Sequence, residues 1–166
     1  MIEKITNYLK KKEWTFTLSD KDKNVLYFPV NGFNATFHCA VDITEKNSFF
    51  LFITFSGTSC PTDKRLILAE LFNRINFRIR YGNFEVGMET GEIKFRTCIC
   101  YEGMEINDII IDNVILKNIF IHDYAFPLIS KFLFGDMTMA EVTDNMVAPT
   151  EIENNEPEVI ESKILE

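Results

Sequence analysis

Apolar residues along this chain recur first at helical spacing and then at strand spacing. Ile2, Ile5 and Leu9, with Tyr8 beside them, lie on one side of a helix, and Lys10-Lys11-Lys12 suits the negative end of its dipole. The pattern predicts a first helix over residues 2–12. Trp14, Phe16 and Leu18 then alternate with Thr15 and Thr17, which predicts a strand. A polar turn over 19–23 precedes a second strand over 24–30. Asn31-Gly32 predicts a two-residue type I′ hairpin, since both residues tolerate positive φ. That turn would set Val30 against Phe33, Phe28 against Ala35 and Leu26 against Phe37. Phe33, Ala35, Phe37, Cys39, Val41 and Ile43 would then form one apolar face.

Residues 49–55, Phe-Phe-Leu-Phe-Ile-Thr-Phe, form the next strand. Pairing Ile43 with Phe49 sets Val41 against Leu51, Cys39 against Ile53 and Phe37 against Phe55. This register sends Phe50 and Phe52 to the opposite side of the sheet. Two large aromatics there imply either a second covering layer or an interface with a partner.

Cys60-Pro61 opens a second helix with Ile67, Leu68, Leu71, Phe72 and Ile75 as its buried stripe and Gly82 as its stop. A second hairpin turns near Thr90-Gly91. Pairing Met88 with Ile93 would put Val86 beside Phe95, Phe84 beside Thr97 and Glu85 opposite Arg96. The run from Ile106 to Phe134 is helical, with Asn107 or Asp108 as cap, Pro127 splitting or kinking it near 123–126, and Gly135 ending it. Thr138-Met139-Ala140-Glu141 reads as a capping box opening a short last helix. Strands clustered together with helices between the clusters predict an α+β fold: a four-strand antiparallel meander plus a two-strand hairpin, with helices packed on the sheet. The expected division is one domain over 1–147 and an acidic tail over 148–166.

Composition narrows the function. The formal net charge of the 166 residues is −8, and residues 148–166 hold six Glu and one Lys. That tail therefore carries −5 and residues 1–147 carry −3. The body is nearly balanced and the tail acidic, and the overall negative charge argues against nucleic acid as a partner unless a local basic face exists. The first nine residues carry charges where a secretion signal needs an apolar run, and no stretch approaches 18 uninterrupted apolar residues. With four cysteines best read as reduced thiols, the expected compartment is the cytoplasm, without membrane insertion. Phe supplies 16 aromatics, a weighting toward packing over polar recognition.

The segment Glu70-Leu71-Phe72-Asn73-Arg74-Ile75-Asn76, followed by Arg78-Ile79-Arg80-Tyr81-Gly82-Asn83-Phe84-Glu85-Val86, resembles the YbjN-like family. Gly91 to Thr97, Ala125-Phe126-Pro127, Gly135 and Glu141 fit the same layout, and the likeness runs over residues 2–146. Phe72 stands where the family more often has Leu. The resemblance implies the fold of type III secretion chaperones, a protein-binding and often dimeric platform, and a role in regulating sensory transduction. It brings no catalytic residues.

Arg74, Arg78 and Arg80, with Lys94 and Arg96, are candidates for one basic patch that docks an anionic partner or the chain's own tail. Phe50 and Phe52 are the candidate apolar contact. Asn73 and Asn76 suit helix-end hydrogen bonding. Cys98-x-Cys100 lacks a second pair at ligand spacing, so no metal is expected. His122 and Asp123 are adjacent, but helix neighbours diverge by about 100°, so they do not form a catalytic pair. No phosphate loop or nucleophile elbow is present. The sequence thus predicts a non-enzymatic module, without cofactor, that binds a protein or peptide, with a homodimer as an option. The alternative is a sensory domain holding a small ligand between the sheet and the Pro127 helix.

Overall fold

A computed structural model describes residues 1–44, 46 and 48–146 of the chain. The elements are α1 (Ile2–Lys11), β1 (Thr17–Leu18), β2 (Val25–Asn31), β3 (Thr36–Thr44), β4 (Phe49–Phe55), α2 (Arg65–Asn76), β5 (Asn83–Val86), β6 (Ile93–Cys100), α3 (Asp108–Phe134) and α4 (Met139–Asn145). A single 3-10 turn, Thr62–Lys64, leads into α2. Among the described residues the strands form one six-stranded sheet in the order β1-β2-β3-β4-β6-β5, with each neighbouring pair antiparallel. The architecture is α+β, as the sequence pattern predicts. The acidic tail expected over 148–166 lies outside the described residues.

All four helices cover the same side of the sheet. Ile5, Tyr8 and Leu9 of α1 and Ile111, Val114, Ile115 and Ile119 of α3 pack on Leu26, Phe28, Val30, Phe37, Val41, Phe50 and Phe52. Leu68, Leu71, Phe72 and Ile75 of α2, Val142 of α4 and Ile129 of α3 pack on Phe84, Ile93 and Phe95. Ile67, expected in that stripe, is instead 46% exposed. The helix also stops at Asn76, before Gly82. Gly82 serves the entry to β5: its φ is +70°, and a Cβ there would lie 2.5 Å from the Phe95 ring.

The strand registers differ from expectation in an instructive way. β2 and β3 pair Val30 with Phe37 and Asn31 with Thr36, so residues 32–35 form the loop in place of a two-residue turn. The slip of four residues is even, so the paired side chains keep their faces, while Phe33, expected on the apolar face, lies in the loop and is 54% exposed. The cause is Asp123 on α3. Its carboxylate accepts the backbone N–H groups of Phe33 (3.0 Å), Asn34 (2.9 Å) and Ala35 (3.2 Å). A Cβ on Gly32 would sit 2.2 Å from that carboxylate, so glycine is required here by close approach.

Pro127 explains the other half of this clasp. Proline cannot donate to the carbonyl four residues back, which is that of Asp123. The freed carbonyl accepts the Asn34 side-chain amide at 3.1 Å. With that bond in place, α3 runs unbroken from Asp108 to Phe134 instead of splitting, capped by the Asn107 side chain at Ile110 N–H. The expected capping box at Thr138 and Glu141 forms as well. The strand expected from Trp14 shrinks to Thr17–Leu18, because Trp14 and Phe16 pack against the core cluster. β5 and β6 pair Val86 with Ile93 and Glu85 with Lys94, a shift of two that again preserves faces.

The slip between β3 and β4 is odd, and its effect is larger. Ile43 pairs with Phe50, not Phe49. One residue of slip exchanges the two faces of a strand. Phe50 and Phe52 are therefore core residues, both 0% exposed, and their expected role as a partner contact is overturned.

Candidate functional site

The side of the sheet away from the helices carries four cross-strand rows. One row runs Tyr27, Ala40, Ile53, Arg96 and Asn83; the next runs Pro29, His38, Phe55, Lys94 and Glu85. Val25, Asp42, Leu51 and Cys98 form a third row, and Thr44, Phe49 and Cys100 a fourth. Tyr27 is 50% exposed and Phe49 40%, while Leu51, Ile53 and Phe55 are half-buried among their neighbours. An antiparallel sheet with one bare face ordinarily alternates to polar residues there. Here the centre of the bare face is apolar.

Charge flanks that centre on two sides: Asp42 stands beside Leu51 on β3, and a cluster lies across β5 and β6. Glu85 pairs with Lys94 at 3.2 Å and with Arg96 at 2.6 Å, and all three side chains are partly sheltered. The cluster keeps one net positive charge beside Ile53 and Phe55. Glu85 thus meets Arg96 as the sequence suggests, although its direct register partner is Lys94. The Cys98 thiol on the same face is pushed up from its ordinary pKa, chiefly by burial, with Arg96 opposing that rise. A thiol shifted upward is predominantly protonated at neutral pH, so Cys98 does not present a thiolate there.

The other basic candidates lie elsewhere. Arg74 is bound to Glu70 one turn back along α2 at 2.5 Å. Arg78 lies beyond the helix end and donates to the Thr143 carbonyl at 3.1 Å and to Asp144 at 3.3 Å. Arg80 is exposed in the link to β5. The single patch expected from the sequence is therefore two separate groups, with Lys94 and Arg96 on the sheet and the three arginines at the end of α2. Asn76 has a structural task. Its side chain donates to the Phe84 carbonyl (2.9 Å) and accepts the Phe84 N–H (2.8 Å), closing the outer edge of β5. The opposite edge strand, β1, is only two residues long. Neither edge invites strand addition.

Beneath the sheet lies a polar network that the sequence did not announce. Asn118 of α3 donates to the carbonyls of Phe52 (3.3 Å) and Phe95 (3.2 Å) and to the Thr97 hydroxyl (3.2 Å). Thr54 lies 2.7 Å from both Asn118 Oδ1 and His122 Nδ1, and Ser56 lies 2.8 Å from His122 Nε2. Asn118 Oδ1 needs a donor, and the Thr54 hydroxyl supplies it. His122 must then carry its proton on Nδ1 and accept from Ser56 at Nε2. The resemblance to a nucleophile and base ends there. The imidazole is 0% exposed among Phe37, Phe84 and Phe95, and burial lowers its pKa to about 3. A base so weak, with a hydroxyl in place of an orienting carboxylate, does not activate serine at neutral pH. Asp123 points to the 33–35 loop, as helix geometry requires.

The space assigned to a small ligand, between the sheet and the Pro127 segment, is occupied by Phe37, His122 and Phe126, with Phe37 and Phe126 edge to face at 6.2 Å. A shallow, open groove of about 410 Å³ lies elsewhere, lined by Met1, Lys4, Tyr101, Gly103, Met104, Glu105 and Ile106. Among the described residues, no helix is long and apolar enough to cross a membrane.

These features define an open-faced α+β domain whose uncovered sheet joins an apolar centre to a charged flank. Residues 2–110 match the family described as "YbjN: Putative bacterial sensory transduction regulator". That match spans well over half the chain, and the chain belongs to the YbjN family. It is similar in structure to a protein described as "YbjN, a putative transcription regulator from E. coli", with a TM-score of 0.51, 10% identity, and coverage of 92% of this chain and 93% of that one. At that identity the likeness shows the fold. No curated protein matches the chain.

Sequence reasoning missed Tyr27, Phe49, Leu51, Ile53 and Phe55 as the surface residues. The β4 pattern is apolar at every position but Thr54, so period-two reading had only that threonine to set the face. Thr54 reads as outward-facing; the buried amide of Asn118 makes it inward-facing.

Proposed function

We propose that this chain is a regulatory module that acts by binding, without catalysis, and docks a segment of another protein on the open face of its sheet. The observation that carries the reading is the apolar centre formed by Tyr27, Leu51, Ile53 and Phe55 beside a half-sheltered Lys94–Glu85–Arg96 cluster. Strand spacing and rise give the four central strands a footprint that buries on the order of 1,000 Å² across both partners, the lower end of specific interfaces. With Asp42 at the Leu51 side and the Lys94–Arg96 pair at the other, the face favours a partner whose carboxylate meets the Lys94–Arg96 side beside its apolar contacts. The family description as regulators agrees with a binding role. The four free thiols fit a reducing compartment such as the cytoplasm.

The test is affinity capture with the full chain, a Leu51→Ser/Ile53→Ser variant and an Arg96→Glu variant, each first checked for an intact fold by thermal melting. Loss of one defined protein by both folded variants supports the reading. Retention of the same proteins by all three overturns it. A mass that doubles in light scattering, and halves in the Leu51→Ser/Ile53→Ser variant, would instead assign the face to a second copy of the chain.

A further inference from the structure

Charge along the chain is strongly segregated. Residues 64–80 hold Lys64, Arg65, Arg74, Arg78 and Arg80 against Glu70 alone, a net +4 in a protein of net −8. Residues 148–166 carry −5. Met146, the last described residue before that acidic segment, lies at the end of an element tied to the basic one. Arg78 holds the last turn of α4 through the Thr143 carbonyl and Asp144, and α4 ends with Met146 buried at 1%. Beside Arg78 stands Phe77, 92% exposed, the most exposed of the large apolar side chains among the described residues. Arg80 is exposed and has no ion pair among the described residues. Leu66, 79% exposed, and Ile67 lie one helix length away at the other end of α2.

We infer that residues 148–166 dock on the outer surface of α2, with Val159-Ile160 or Ile164-Leu165 covering Phe77 and the glutamates facing Arg78 and Arg80. Reach does not limit this. α2 is about 18 Å long at 1.5 Å per residue. The 13 residues from 147 to 159 span up to about 43 Å when extended. Neither ingredient suffices alone, since exposed ion pairs contribute about 0–1 kcal/mol each. Burying one large aromatic against an aliphatic pair adds the apolar part. The surface lies on the helical side of the domain, so this contact is independent of the sheet face and stands whether or not a partner docks there.

The experiment uses the full chain with a benzoylphenylalanine photo-crosslinker in place of Phe77, irradiated at low protein concentration and read by peptide mass spectrometry. The expected result is a monomeric product joining position 77 to a peptide from 148–166. Arg78→Glu with Arg80→Glu should lower its yield about fivefold, the effect of roughly 1 kcal/mol. Reversing charges at Glu156 and Glu158 to Lys in that background should restore the yield. A crosslink formed only between two chains, a crosslink to another region, or no crosslink at position 77 would each overturn the inference. A yield indifferent to both sets of charge reversals would overturn the electrostatic half of it.

Discussion

Both faces of this sheet carry large apolar side chains, but what surrounds those side chains differs. On the covered face, Phe37, Phe50, Phe52 and Phe95 are each sealed completely, and every polar group drawn in with them has partners through Asn118, Thr54, Thr97 and His122. On the bare face, Tyr27, Leu51, Ile53 and Phe55 lie among Ala40, His38 and Asp42, with the Lys94–Glu85–Arg96 cluster at the side. Apolar content alone therefore does not say what a face is for. Stability resides where burial is complete and hydrogen bonding closed. The face left half-buried adds little to the fold and is free to serve recognition.

Mutation should separate the faces sharply. Phe52→Ala is expected to cost about 3–5 kcal/mol through transfer and cavity terms, seen as a large fall in the urea midpoint. Ile53→Ala, its neighbour on the opposite face, should cost about 1 kcal/mol or less. Equal losses would erase the distinction between the faces.

Acid should act chiefly through the covered face, with a further loss at lower pH from Glu141, whose carboxyl is held below its ordinary value by its hydrogen bonds to Thr138. His122 has a folded-state pKa of about 3 against an ordinary 6.5, so between those values the unfolded chain binds the extra proton. Its contribution is fully present above pH 6.5 and falls by about 1.4 kcal/mol per pH unit as pH drops through that window. Chemical denaturation at pH 7, 6 and 5 measures the slope, and His122→Gln should flatten it.

A smaller and more local effect is expected at the hairpin. Asp123→Ala removes the acceptor for three backbone N–H groups and should cost about 2–3 kcal/mol. Hydrogen exchange should show residues 33–35 losing protection first. Glu85→Gln on the bare face should change stability by about 1 kcal/mol or less, measured in the same denaturant series. A larger loss there would mean that the charged flank is part of the fold's own framework.

Much of the architecture is readable from spacing. The helices, the strands and their antiparallel grouping follow from periodicity, because those patterns are set by burial on one side. Registers are harder, and β2–β3 shows why. Asn31-Gly32 is a strong local signal for a two-residue turn, yet the decisive group is Asp123, far away in sequence. The β4 face was lost for a related reason. A strand of nearly uniform hydrophobicity holds no alternation to read, and Asn118, which draws Thr54 inward, belongs to another element. The sequence led correctly to an aromatic second face and assigned it Phe50 and Phe52, whose neighbours Phe49, Leu51, Ile53 and Phe55 in fact form it. Lys94 and Arg96 share a face, as the sequence predicts, because residues two apart on a strand share a side; their place beside Phe55 and Ile53 comes from the β4–β6 register. Arg74, Arg78 and Arg80 belong to a different surface because the helix that begins their run ends at Asn76.

The clasp between Asp123 and the 33–35 loop also bears on the order of assembly. A hairpin held by its own turn can form within microseconds of the chain collapsing. This one is completed by a carboxylate roughly 90 residues downstream, so its final register waits until α3 has formed and come down onto the sheet. The loop-closure entropy must be met before the contact returns anything, which places the step late and makes the rate depend on topology more than on local propensity. Substitutions at Asp123 or Asn34 should then speed unfolding while leaving refolding nearly unchanged, the kinetic mark of a contact absent from the transition state.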